Sequence, residues 1–422
     1  MSARTTTSTL STLWQRFVQS FAVPLLAVFT ALVISALVIW VTTGDPSKIF
    51  AAYRGLWQGA FGTPRNFSET LQTSTPYVFG GLAVALAFKC GLFNIGVEGQ
   101  LALGAVCAAF VGYSLRGLPF IVHLPLTVAA GLLGGMFWGA IPGVLKAYRG
   151  AHEVIVTIMM NYIAAQLVQY LLNGPMMDRS PGNVTARTPE ILPSAQLPPI
   201  FTGTMANAAT WSLHWGFPLA VLTAVAVQIF LSRTTVGFEI RTVGANPNAA
   251  RYAGMNVARN IVLAMTLSGM LAGAAGAIEI VDVTHRHELG FGSGYGFDSI
   301  AIALLGRNNP YGVVAAAVLF GGLKSGATQM QVNTDLPVSI ISIIQGLILL
   351  FVAADGIIRR LYRIRVKSES QTLTLAPAAV LAEAGVSEAP MSDSSFEIAR
   401  TGLPDASPNA DPTGPEEGIG KI

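Results

Sequence analysis

The sequence predicts an all-α polytopic membrane protein of about ten transmembrane segments, with broken helices and an internal repeat. Three observations predict it. Of 422 residues, 52% are hydrophobic and only 11% charged, against about 25% charged in soluble domains. Apolar runs of roughly 20 residues, the length that spans a bilayer, recur along the chain. Finally, glycine-rich polar sequence interrupts the apolar pattern twice, as KCGLFNIGVEGQ at residues 89–100 and again near 285–310. Backbone broken at membrane depth must be buried in protein or line a wet cavity. Transporters build substrate sites at such breaks, and their comparable places in the two halves are the reason to expect a repeat.

The elements follow in order. Residues 1–20 are Ser/Thr-rich, carry Arg4 and Arg16, and read as a cytoplasmic arm. The transmembrane domain is expected over 21–358. Its first span, 22–41, is too long for a signal-peptide core and reads as a retained helix. Tyr53, Trp57 and Phe61 at four-residue spacing suit a short interfacial helix. Spans follow at 68–88, 97–113 and 123–148. The last of these carries Gly131, Gly135, Gly139 and Gly143 on one stripe, which lets another helix approach closely. The fifth span, 153–172, bears Asn161, Tyr162, Gln166 and Gln169. A long polar stretch, 174–215, precedes spans at 216–231 and 260–281, and such a length points to function or local order. The sequon at Asn183 is too short a pattern to carry weight. A half-length helix at 297–305 and spans at 311–330 and 336–354 complete ten segments.

Charge sets the orientation. From Lys367 onward there are nine acidic and three basic residues, a net −6, so the remainder carries +9 of the overall +3. Arg359, Arg360, Arg363, Arg365 and Lys367 place the C-terminus in the cytoplasm. An even number of spans puts the N-terminus there too. Residues 359–422 read as a basic juxtamembrane segment followed by a disordered acidic tail. The basic charges are topology signals, and no nucleic-acid partner is expected. Cys90 and Cys107 read as small buried hydrophobes.

The four-arginine segment 233–260 is a cytoplasmic loop with deliberate punctuation. Asn246 caps a helix, Pro247 takes its first position and Gly254 stops it, which predicts two turns over 247–253 exposing Arg251 and Tyr252. GLFNIGVEGQ, GFEIRTVGANPNAARYAGMNV and GFDSIAIALLGRNNPYG, in that order, resemble the permease subunits of ATP-binding-cassette importers. Within these the chain is similar to the ribose/branched-chain-amino-acid permease superfamily, most closely its nucleoside-type branch, over roughly residues 65–355. The resemblance implies the inner membrane of a prokaryote, an identical or different second permease, two ATPase domains and an extracytoplasmic binding protein or lipoprotein. It also implies that 247–253 is the coupling helix seated in the ATPase. ATP and Mg would be held there, with no cofactor bound by this chain.

The chemistry that is missing narrows the function. There is no phosphate-binding loop, because Leu323 stands before Lys324 where glycine is needed. GFGSGYG at 290–296 lacks dinucleotide spacing, and His285 and His287 form no metal pattern. No nucleophile–base pair stands out, so the chain reads as a transport subunit and not an enzyme. Phe93, Asn94, Glu98, Asn161, Tyr162 and Asp298 are the candidate substrate path. Aromatic faces can stack on a base, while amides and carboxylates match its donors and the sugar hydroxyls. Asn94 and Glu98 could equally cap the broken helix, and Asp298 could cap the half-helix. Two alternatives stay open: the same machinery carrying a simple sugar or branched-chain amino acid, or an ion-coupled carrier using Glu98 as its proton site.

Overall fold

The computed structural model describes residues 6–204, 210–292, 294–337, 339–353 and 362. The acidic tail and the five residues of the basic cluster lie outside the described residues.

Helix α1 (Thr6–Thr43) starts within the segment read as an arm and runs on through the first span. Helix α2 (Ser47–Phe61) is the short helix expected after it, but it does not merely lie at an interface. Its small-residue face, Ala52, Gly55, Gly59 and Ala60, is buried. A β-carbon on Gly59 would fall 2.6 Å from Gln329 Cβ and 2.9 Å from Gly326 Cα. Trp57 and Phe61, their rings 5.0 Å apart, stay on the outer side.

Helix α3 (Pro64–Lys89) starts where Thr63 accepts the Asn66 N–H at 3.1 Å and Pro64 takes the first position. It is buried without interruption from Ser74 to Ala87 and forms the centre of the molecule. After the first break come α4 (Val97–Ser114), α5 (Phe120–Arg149) and α6 (Glu153–Asn173). Residues 174–215 form an ordered strap holding the hairpin β1 (Phe201–Thr204) and β2 (Thr210–Leu213). Then follow α7 (Gly216–Arg233), α8 (Thr235–Ala245), α9 (Pro247–Tyr252) and α10 (Val257–Glu279), which continues as one π-helical turn, Ile280–Thr284. Beyond the second break lie α11 (Tyr295–Leu305), α12 (Pro310–Thr334) and α13 (Ser339–Ala353).

All ten segments read from the sequence are helices. Among the described residues seven are long and apolar enough to cross a membrane: α1, α4, α5, α6, α7, α10 and α12. Helix α3 has the length but an N-terminal half rich in Ser and Thr, whereas α11 and α13 are short. The hairpin and α8 were not expected. Helix α8 had a legible start, since Thr234 accepts the Gly237 N–H at 3.0 Å, and Ile240 and Val243 mark its buried face.

The glycine stripe of α5 meets the glycine pair of α10. A β-carbon at Gly135 would lie 2.5 Å from Gly273 Cα, and one at Gly139 would lie 2.8 Å from Gly269 Cα. Backbones this close gain dispersion that lipid-facing helices cannot supply. Replacing Gly273 with Leu should therefore abolish a monodisperse folded protein in size-exclusion chromatography. Gly346→Ala, with nothing within 4 Å of the added carbon, should leave it unchanged.

Candidate functional site

The first break begins two residues after α3, where Gly91 takes a left-handed φ of 74° and its backbone passes close to Gly244 of α8. The chain then turns back into the molecule. Asn94, 1% exposed, spends its whole amide on this turn. Its Oδ1 accepts from Gly96 N at 2.9 Å and Gln100 Nε2 at 3.2 Å. Its Nδ2 donates to Gln100 Oε1 at 2.9 Å and to Ser268 Oγ of α10 at 2.8 Å. Asn161 of α6 does the same from the other side, donating to Ile95 O and accepting from Gly99 N, both at 2.9 Å. These two amides replace the hydrogen bonds that broken backbone loses.

The second break reaches the same level from the opposite end. Helix α10 ends in the π turn, His285 adopts a left-handed φ of 55°, and α11 starts at Tyr295. Glu98, in the first turn of α4, accepts from Gly294 N with Oε1 and from Gly296 N with Oε2, each at 2.7 Å. One carboxylate thus ties the start of α4 to the start of α11. Gly296 is required there, since a β-carbon would fall 2.5 Å from Glu98 Cα. Asp298 lies inside the first turn of α11 and is not its cap; the cap position belongs to Gly294. Asp298 instead accepts from the buried Tyr77 hydroxyl at 2.7 Å.

Lys324 completes this interior. Its Nζ sits 4.3 Å from the Tyr295 ring centre and 5.7 Å from that of Tyr77, and those two rings meet edge-on at 5.0 Å. Asp298, Glu98 and Glu279 are the carboxylates whose fields act on it. Sequence reasoning used Lys324 only to exclude a phosphate loop. The missed signal was a lysine within an apolar span, which is costly unless paired.

Of the other candidates, Phe93 is half-buried and packs edge-on against Phe88 at 5.0 Å. Tyr162 is 66% exposed, about 100° around α6 from the buried Asn161. It does not stand alone. Gln166, Gln169, Tyr170 and Asn173 are exposed on the same helix, and all but Tyr162 line a shallow, open depression of the surface with Gly174. Helix α5 exposes Leu133 and Phe137, and α7 exposes Leu222 and Ile229, as lipid requires. Helix α6 also exposes Ile155, Met159 and Ile163, but adds two tyrosines and three amides among them.

At the far end the strap is stitched to the second break. Thr188 N donates to His287 O at 2.9 Å, Ile191 N to His285 O at 2.8 Å, and Leu192 N to Gly112 O at 2.9 Å. His214 Nδ1 lies 3.6 Å from the Asp282 carboxylate, which holds His214 above its ordinary pKa. Burial pushes His285 down, and pushes His287, its ring against Phe291, down to about 4 from 6.5. At the opposite end, Asn246 Oδ1 accepts from Asn248 N at 3.0 Å and Ala249 N at 3.1 Å, and Pro247 opens α9. Ala250 is buried, whereas Arg251 is exposed and Tyr252 is 95% exposed. Gly254 stops the helix at φ 80°, so α9 ends at Tyr252, one residue short of expectation.

Two outcomes are expected. Glu98→Gln offers one acceptor where two N–H groups need one, and puts an NH2 against the other. Charge-assisted bonds are worth about 1.5–3 kcal/mol each, so this variant should melt at clearly lower temperature in detergent, with Glu98→Ala lower still. For His287, the unfolded ring binds a proton first as pH falls, so stability falls between pH 6.5 and about 4. The cost is up to about 3 kcal/mol. His287→Phe should flatten that acid limb in thermal unfolding across pH; His214, shifted the other way, gives stability that is lost at higher pH.

Comparison with known proteins converges on one family. The family described as branched-chain amino acid transport system / permease component matches residues 66–353. The guanosine ABC transporter permease protein NupP of Bacillus subtilis is 42% identical over 338 residues, covering 80% of this chain and 94% of that protein. The nucleoside ABC transporter permease protein NupB of Lactococcus lactis is 34% identical over 348 residues, covering 80% and 91%. The glucose ABC transporter permease protein TsgB13 of Haloferax volcanii is 34% identical over 349 residues, covering 82% and 90%.

Proposed function

The chain belongs to the permease-component family of branched-chain amino acid transport systems, and from that footing we propose that it carries nucleosides as the membrane half of an ATP-driven importer. It is a multi-pass transport component and not an enzyme. The observation that carries the substrate reading is the exposed face of α6. Tyrosine rings can stack on a flat base, and the amides of Gln166, Gln169 and Asn173 match its edge and the ribose hydroxyls. A face this polar is unfavourable against lipid, so it lines a path shared with a second permease subunit. Tyr162 belongs to this path. Phe93, Glu98 and Asp298 contact other elements, Phe88, the start of α11 and Tyr77, and Asn94 and Asn161 hold the break in shape.

The arginine-bearing α8–α9 end faces the cytoplasm in this reading, together with both termini, in the inner membrane of a prokaryote. The transmembrane domain spans 21–358, and α9 docks its exposed Arg251 and Tyr252 in an ATPase subunit that holds ATP and Mg. The strap faces outward, toward a substrate-binding protein or lipoprotein. Similarity to a glucose permease supports a second reading, a simple sugar on the same machinery.

Uptake of labelled guanosine in cells with and without the chain tests this. Deletion should abolish uptake, and unlabelled nucleosides should compete where glucose and leucine do not. Competition by glucose alone would transfer the assignment to sugars. Gln166→Leu with Gln169→Leu should lower uptake more than tenfold in a protein that still folds. Replacing Arg251 and Tyr252 with Ala should release the ATPase on co-purification and leave the membrane core intact.

A further inference from the structure

Asp282 is a buried carboxylate with only one oxygen satisfied. It sits on the π turn that ends α10 and is 2% exposed. Its Oδ2 accepts from Gly216 N, at the start of α7, at 2.8 Å. A β-carbon at Gly216 would fall 2.7 Å from that oxygen, so glycine is what lets α7 begin there. Its Oδ1 has no hydrogen-bond partner among the described residues. The cation beside it is His214 of the strap, whose Nδ1 lies 3.6 Å from Oδ1 and donates to the Asp282 carbonyl at 2.8 Å. Two backbone rungs flank this pair: Leu197 N donates to Val281 O and Ile191 N to His285 O, each at 2.8 Å. Other charges near His214 are few. Glu279, one turn earlier on α10, adds a negative field, and Lys324 of α12 acts in turn on Glu279. His285 is the other imidazole within electrostatic reach, and Glu190 of the strap acts on it. Helix α3 meets the hairpin through the neutral Ser68 and Gln72, both bound to Ser212 O, and its Glu69 is paired with Arg65.

We propose that His214 and Asp282 form a proton-operated clamp between the strap and the second break. With His214 charged, the buried Oδ1 has its counterion and the strap is held against the π turn. With His214 neutral, Oδ1 keeps neither a hydrogen bond nor a counter-charge, and an unpaired buried carboxylate is too costly to stay dry. Water then enters between the strap and the turn, at the expense of the Leu197 and Ile191 rungs. The sign follows from linkage. The hydrogen bond to Asp282 raises His214 above its ordinary 6.5, so the clamp is complete below 6.5 and is lost as pH rises through the raised value. His285 and His287 cannot give this response, because burial pushes both down and leaves them neutral over that range. While clamped, the strap and the second break move together, so a load on the strap reaches the start of α11; once released, they move apart. The clamp stands on contacts within the chain, and neither the solute nor the orientation in the membrane enters into it.

The test is hydrogen exchange of the full-length chain in detergent, read by mass spectrometry on strap peptides that hold Ile191 and Leu197. After correction for the intrinsic exchange rate, their protection should fall about tenfold between about pH 6 and about pH 9, the scale of one charge-assisted hydrogen bond. His214→Gln keeps a donor but removes the charge, and should show the low protection at both pH values. His214→Lys keeps a cation through this range and should stay protected at both. Asp282→Asn should also remove the response. Peptides from the packed glycine faces of α5 and α10 should keep their protection in every variant, which separates release of the strap from unfolding. Equal strap protection at the two pH values in the unaltered chain would overturn the proposal. So would a pH response that persists in His214→Gln, or a His214→Lys strap as unprotected as that of His214→Gln. None of these readouts involves uptake, so failure here leaves the nucleoside reading standing, and failure of guanosine uptake leaves the clamp to be judged alone.

Discussion

Two glycine N–H groups donating to the Glu98 carboxylate hold the centre of this protein together. Each break carries backbone groups that a bilayer cannot satisfy. The first is folded in on the amides of Asn94 and Asn161, and the second arrives as the uncapped start of α11. A carboxylate at a helix N-terminus answers both the orphan donors and the positive end of the helix dipole. By using both oxygens on amides two residues apart, Glu98 also fixes the position of α11 relative to α4. The packing of α11 on α3, including the Tyr77–Asp298 hydrogen bond, requires that position.

The polar groups divide by charge. The fields of Glu98, Asp298 and Glu279 act on Lys324, whose Nζ lies over the Tyr295 ring and near that of Tyr77. The face of α6 carries polarity without charge. A path for an uncharged solute benefits from that separation. Several weak neutral contacts let a solute bind and leave, whereas a bare charge would hold a counterion or water in the way. Strong electrostatics are spent on architecture, and in the proposed path passage is left to amides and aromatic rings.

Much of this was legible in the sequence because it rests on local rules. The Asn246-Pro247 start and Gly254 stop of α9, the glycine stripe of α5 and the two breaks follow from capping, close approach and hydropathy, and each formed where expected. The roles within the breaks were not legible in the same way. The sequence left open whether Asn94 holds backbone or substrate, since that depends on Ser268, 174 residues away. Lys324 was passed over because the carboxylates whose fields act on it come from α4, α10 and α11. Tyr162 and Asn161, adjacent in sequence, lie about 100° apart around α6, so a list of polar residues in one span mixed two roles. The exposed pattern of Tyr162, Gln166, Gln169 and Asn173 was present in the spacing, but only the packing of the other face on α4 shows which side is free.

The polarity of α3 bears on how the protein is made. Helix α3 is not among the helices apolar enough to enter a bilayer by hydropathy alone, yet it occupies the centre. Its Ser74 packs against Gly321 of α12, and its Ala83 carbonyl accepts from Ser268 of α10. Those partners are synthesised roughly two hundred residues later. The polar face of α3 is therefore sheltered by helices that leave the ribosome long after it. Helices α10 and α12 thus cover a polar helix whose neighbours α1 and α4 are apolar enough to span without them.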